Sequence, residues 1–144
     1  IIGGTIFSLA YVFLISNKLE ARASNQIRAN FLAEEGLEAL RFLRDKSWSL
    51  NLANLSAATA YYLSFNAGNS SWSVVTSNPG LIDGLYARSF SVEAVNRNGS
   101  DDIVSSGGTL DPNTKKFNVN VSWQERGTYS TTTLSTYLSD IFQN

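Results

Sequence analysis

The chain opens on an apolar and small-residue run, Ile1-Ile2-Gly3-Gly4-Thr5-Ile6-Phe7-Ser8-Leu9-Ala10-Tyr11-Val12-Phe13-Leu14-Ile15, without a single charge. It continues through Ser16-Asn17-Lys18-Leu19-Glu20-Ala21-Arg22 to Leu43 and Asp45 with neither Pro nor a turn signal, so the pattern predicts one long helix from Ile1 to Trp48. The run is shorter than the roughly 20 residues that cross a bilayer as a helix, yet too free of charge for an ordinary surface helix. Two readings fit it: a buried core helix, or the C-terminal part of a membrane segment that starts upstream of Ile1. The second is preferred, because position 1 carries neither Met nor the basic region of a signal peptide. Gly3, Gly4, Ser8 and Ala10 are small enough to let neighbouring helices approach. A Gly pair also simply loosens a helix, by about 1 kcal/mol each.

Beyond Ser16 the helix shows two apolar faces. Ala29, Leu32, Gly36, Ala39, Leu40 and Leu43 fall on one stripe, as packing on a sheet requires. Ile27, Phe31 and Phe42 fall on another side, among Glu34, Glu38 and Arg41, which points to a partner helix; isolated exposed apolar residues are also ordinary on any surface. Residues 1–26 therefore read as a stalk, and 27–144 as a head. The positions assigned to packing between helices are Ile1, Ile2, Gly3, Gly4, Ile6, Phe7, Leu9, Tyr11, Val12, Phe13, Leu14, Ile15, Ile27, Phe31 and Phe42.

From Ser47 to Ile82 no residue is charged, while Trp48, Leu52, Tyr61, Leu63, Phe65 and Trp72 recur among Ser, Asn and Gly. That aromatic content predicts a structured connector (residues 47–82) with short strands near Tyr61–Phe65 and Trp72–Thr76. It serves either as a lid over the domain's own core or as a contact between subunits, where charge is depleted. Three clearer strands follow within residues 85–140. Leu85–Val95 carries Phe90, Val92 and Ala94 on one face. Phe117–Gln124 alternates with Phe117, Val119, Val121 and Trp123 inward, and Glu125-Arg126-Gly127-Thr128 makes a tight hairpin. The last strand turns Leu134 and Leu138 inward beneath a Thr-rich outer face. The expected architecture is α+β, a long N-terminal helix packed on an antiparallel sheet. Its head core holds Leu32, Gly36, Leu40, Leu43, Phe90, Val92, Phe117, Val119, Val121, Trp123, Leu134 and Leu138. Asn96 to Lys116 is expected to be a long polar loop.

Composition narrows the chemistry. The net charge of −1 calls for no nucleic acid. With no Cys and no His, the chain lacks a thiolate, the commonest general base and the commonest transition-metal ligand. Glu34, Glu35 and Glu38 sit near Arg41, Arg44 and Lys46, where pairing along the helix explains them better than catalysis. Asp101, Asp102 and Asp111 are oxygen donors for Ca²⁺, but without EF-hand spacing. No catalytic, cofactor or metal site is assigned, and the chain is not expected to be an enzyme.

The hydrophobic helix, the run Asn30-Phe31-Leu32-Ala33-Glu34-Glu35-Gly36-Leu37-Glu38-Ala39-Leu40-Arg41-Phe42-Leu43-Arg44-Asp45 and the Trp48 that follows resemble the type IV pilin and pseudopilin superfamily. Asp111-Pro112-Asn113-Thr114-Lys115-Lys116 ahead of Val121-Ser122-Trp123, and the closing Leu134-Ser135-Thr136-Tyr137-Leu138, are similar to heads of its Cys-free bacterial members. The resemblance implies a lollipop fold and assembly into a helical fibre on the cell surface. It implies as partners copies of the same chain, the pilus assembly machinery and the inner membrane before assembly. The family's Glu at the fifth mature position is not matched, since Thr5 stands there. Within the family the alternatives are a major pilin and a minor pilin or secretion-system pseudopilin. Outside it, a membrane-anchored binding module would use the 96–114 stretch.

Overall fold

In a computed structural model, residues 2–142 are described, with side chains from Ser8 onward. Ile1, the side chains of Ile2, Ile6 and Phe7 and the surroundings of Gly3 and Gly4, all assigned above to helix packing, lie outside the described part. The chain is α+β. Helix α1 runs unbroken over Ile2–Lys46, followed by one turn of helix, α2 (Trp48–Asn51). The strands are β1 (Tyr62–Asn66), β2 (Ser71–Val75), β3 (Ala87–Arg97), β4 (Ile103–Val104), β5 (Thr109–Glu125) and β6 (Thr128–Ser139). β1 and β2 form a hairpin, and the main sheet has the order β4-β3-β5-β6 with every pair antiparallel.

α1 is continuous because nothing interrupts it before Ser47, whose extended backbone ends the helix. The Ser47 hydroxyl then accepts from the Leu50 N–H and caps α2, while the Asn51 amide donates to the Leu43 carbonyl at 2.9 Å. The Leu43 carbonyl, which also accepts from the Ser47 N–H, thus ties the last turn of α1 to the next element, and Arg44 and Lys46 sit where the helix dipole favours cations.

The second half of α1 lies on the sheet. Its predicted stripe is buried, joined by Ala33, and the core is completed by Phe90, Val92, Phe117, Val119, Val121, Trp123 and Leu138. Leu134, expected in the core, is only half-buried at its margin. The connector closes the same core from the side: Trp48, Leu52, Tyr61 and Leu63 are buried, and Tyr61 pairs with Phe90 through two backbone hydrogen bonds. The lid reading therefore describes its inner surface, while Leu50, Phe65 and Leu81 on its outer surface stay exposed.

The expected long loop over 96–116 is mostly strand. β3 extends to Arg97, β4 follows one turn later, and β5 begins at Thr109. The register explains why composition misled. Ala94 opposes Lys115 but Val95 opposes Asp111, so residues 112–114 bulge out of the β3–β5 ladder. Pro112, which has no N–H to give, occupies that bulge. The same shift changes which side chains face inward, so Val95 is buried and Ala94, expected inward, is exposed.

Candidate assembly surface

Three exposed apolar regions follow from this fold. The first is the free half of α1. Every residue from Ser8 to Ser24 is exposed, including Leu9, Tyr11, Val12, Phe13, Leu14 and Ile15. At 1.5 Å per residue this bare segment is about 25 Å long. It meets the head at Asn25, which donates to the Glu125 carboxylate at 3.3 Å and accepts from the Tyr86 hydroxyl at 3.2 Å. One turn on, the Arg28 guanidinium clasps Asp83 at 2.7 Å, which raises the Arg28 pKa. These bonds fix the direction in which the free half leaves the head. Among the described residues no helix is long and apolar enough to cross a membrane.

The second region is the outward face of the packed half, where Ile27, Phe31 and Phe42 are exposed as the two-face pattern predicts. The third is a groove of about 460 Å³ between α1 and the β1–β2 hairpin, lined by Phe42, Ala39, Phe65 and Trp72 and edged by Glu35 and Glu38. The Phe65 and Trp72 rings meet at a tilt of 50°, with 5.0 Å between ring centres. Chain pattern does not foretell this groove, because it forms only once the hairpin folds beside the helix.

The carboxylates considered for chemistry have structural partners. Glu38 pairs with Arg41 on the same helix. Glu35 instead meets Arg88 of β3 at 2.7 Å, a partner that the helix spacing does not suggest. Arg88 is buried, donates to the Leu32 carbonyl at 3.0 Å and lies over the Trp72 ring at 5.2 Å. It shares the period-two phase of Phe90 and Val92, which is the signal that would have placed it inside.

In the 96–114 stretch two of the three acidic side chains, Asp101 and Asp111, gather round a guanidinium. Arg97 donates to Asp111 at 2.7 Å and approaches Asp101 at 3.6 Å, and Asp102 accepts from Asn98. The hydrogen bond from the Arg97 guanidinium, with those from the Thr114 hydroxyl and the Asn113 N–H, holds the Asp111 carboxyl below its ordinary pKa. Lys115, inward-facing next to the bulge, donates to the Leu55 carbonyl at 2.8 Å, and burial lowers its pKa. No three carboxylates converge as a metal site among the described residues.

No protein family, no curated protein and no solved structure matches the chain.

Proposed function

We propose that this chain is a structural subunit of a helical cell-surface filament of the type IV pilin class, polymerising through α1 and serving attachment or motility. Before assembly the apolar helix holds it in the inner membrane. The reading rests on one observation: Leu9–Ile15 expose large apolar side chains around the whole circumference of a helix that the chain's own head does not reach. Each such side chain gains about 1.5–3 kcal/mol when taken out of water. Lipid, or a bundle of like helices, supplies that burial on every side at once.

An open filament needs two different patches that meet on successive copies without closing into a ring. The free half of α1 and the outward face of its packed half supply such a pair. The lollipop shape that the sequence resemblance implies agrees with this division of the helix. A minor subunit would use the same physics at a lower copy number.

Electron microscopy of fibres sheared from the native cells tests the reading, at a resolution that traces side chains. The expected core is a bundle of α1 helices with Tyr11 and Phe13 inside, and Trp48 and Trp123 visible in every head. Fibres built from another chain would limit this one to a minor subunit. Cells that hold the chain but carry no fibre containing it would end the filament reading.

A further inference from the structure

The exposed surface of α1 carries two like-charged pairs spaced four residues apart, Lys18 with Arg22 and Glu34 with Glu38. Like charges at this spacing disfavour an isolated helix. Among the described residues Lys18, Arg22 and Glu34 have no ion-pair partner, and Glu38 has only Arg41.

Sixteen residues separate Lys18 from Glu34 and likewise Arg22 from Glu38. In an α-helix that spacing is a rise of about 24 Å and a rotation of about 160°, so the two pairs lie on nearly opposite faces. Opposite faces of identical helices are the faces that meet when parallel copies pack side by side. The same offset carries Tyr11 onto Ile27 and Ile15 onto Phe31, all four exposed. The face bearing Ile27, Phe31, Glu34 and Glu38 points away from the buried stripe of Gly36 and Leu40, so a neighbour can lie on it clear of the head of the copy that presents it.

We propose that successive copies pack with α1 helices parallel and staggered by sixteen residues, Lys18 and Arg22 of one copy lying against Glu34 and Glu38 of the next. The proposal rests on the filament reading and adds its register. Charge complementarity together with the apolar match selects a second copy as the occupant. An antiparallel pairing keeps the charges opposed but sets Tyr11 against Asp45 and Ile15 against Arg41, which loses the apolar match. A like-for-like contact at zero stagger puts Lys18 and Arg22 beside their own kind.

Charge swaps in the native cells test the register. Lys18→Glu with Arg22→Glu, and separately Glu34→Lys with Glu38→Lys, are each expected to lower fibre yield at least about tenfold. The four changes together are expected to restore it to within about threefold. Because the chain has no Cys, Ile15→Cys with Phe31→Cys is expected to give a disulfide-linked ladder in fibres, and Ile15→Cys with Phe42→Cys none. A combined swap no better than either half overturns the proposal, as does a ladder only in the Phe42 variant. Loss of fibres in the Lys18/Arg22 reversal with an unchanged yield in the Glu34/Glu38 reversal also overturns it, assigning those cations to lipid headgroups instead. If the unmodified chain forms no fibre, the filament reading falls, and the Ile15/Phe31 cysteine variant in detergent micelles then decides the register by itself. A ladder there upholds the stagger, and its absence ends it.

Discussion

At Gly36 the helix backbone comes so near the sheet that a Cβ would stand 2.8 Å from Val119 Cγ1 and 3.3 Å from Arg88 Cδ. Gly36→Ala is expected to destabilise the head by about 1–3 kcal/mol, because overpacking outweighs the roughly 1 kcal/mol by which Ala favours a helix. Val119→Ala in the same chain should recover part of that loss, a coupling that urea denaturation read by tryptophan fluorescence would detect. Arg88, whose stem fills the same contact, is expected to cost about 2–3 kcal/mol when changed to Ala. Arg88→Met should cost less, because the stem still packs. Glu35 is half-exposed, so Glu35→Gln should cost under about 1 kcal/mol. At Asp111 the fold favours the ionised carboxylate, chiefly through Arg97, so its folded pKa lies below the unfolded one. The stability it contributes is present above the ordinary carboxylate range and is lost as pH falls through that range towards the depressed value. Urea midpoints taken across acid pH should fall less steeply in Asp111→Asn than in the unaltered chain.

Among the elements, the β3–β5 connection was the least legible. Its Asn, Asp, Gly and Pro content is that of a loop, yet backbone pairing carries β3 to Arg97 and starts β5 at Thr109. What holds it is long-range: Arg97 binds Asp111, and the Thr114 hydroxyl meets the Ser139 hydroxyl at 2.9 Å. The tight point is Gly108, with φ +72° and only 2.5 Å between a built Cβ and the Arg97 carbonyl oxygen, whereas Gly107 at φ +70° faces open space. Gly107→Ala is expected to cost about 1 kcal/mol for its backbone alone. Gly108→Ala should cost about 2 kcal/mol more, since backbone must move. Thermal melts of the two variants side by side check the difference. By contrast α1 was legible over its whole described length, because no Pro breaks it and two apolar stripes persist at helical spacing.

For the whole molecule, the bare segment contributes nothing to the head's core, whose first buried residue is Ala29. A chain beginning at residue 25 should therefore keep the Asn25 and Arg28 contacts and melt within a few degrees of the full chain. It should be monomeric by ultracentrifugation and absent from fibres. A head that unfolds without residues 8–24 would show that the free half of the helix supports it.

Hydrophobic periodicity by itself determined the long helix, its buried stripe, its outward apolar face and the inward set Phe117, Val119, Val121 and Trp123. These are local properties, since a period of 3.6 or of 2 decides which side chains share a face before any tertiary contact forms. Where Arg88 ends its donors, where β5 starts, and which of Ala94 and Val95 turns inward were decided only by the tertiary structure. Each depends on atoms distant in sequence: Arg88 on Leu32 and Glu35, β5 on its ladder with β3, and Val95 on the bulge opposite it. The partners of a buried charge and a shift of register are settled by the element packed against the segment, and no pattern within a single segment contains that element.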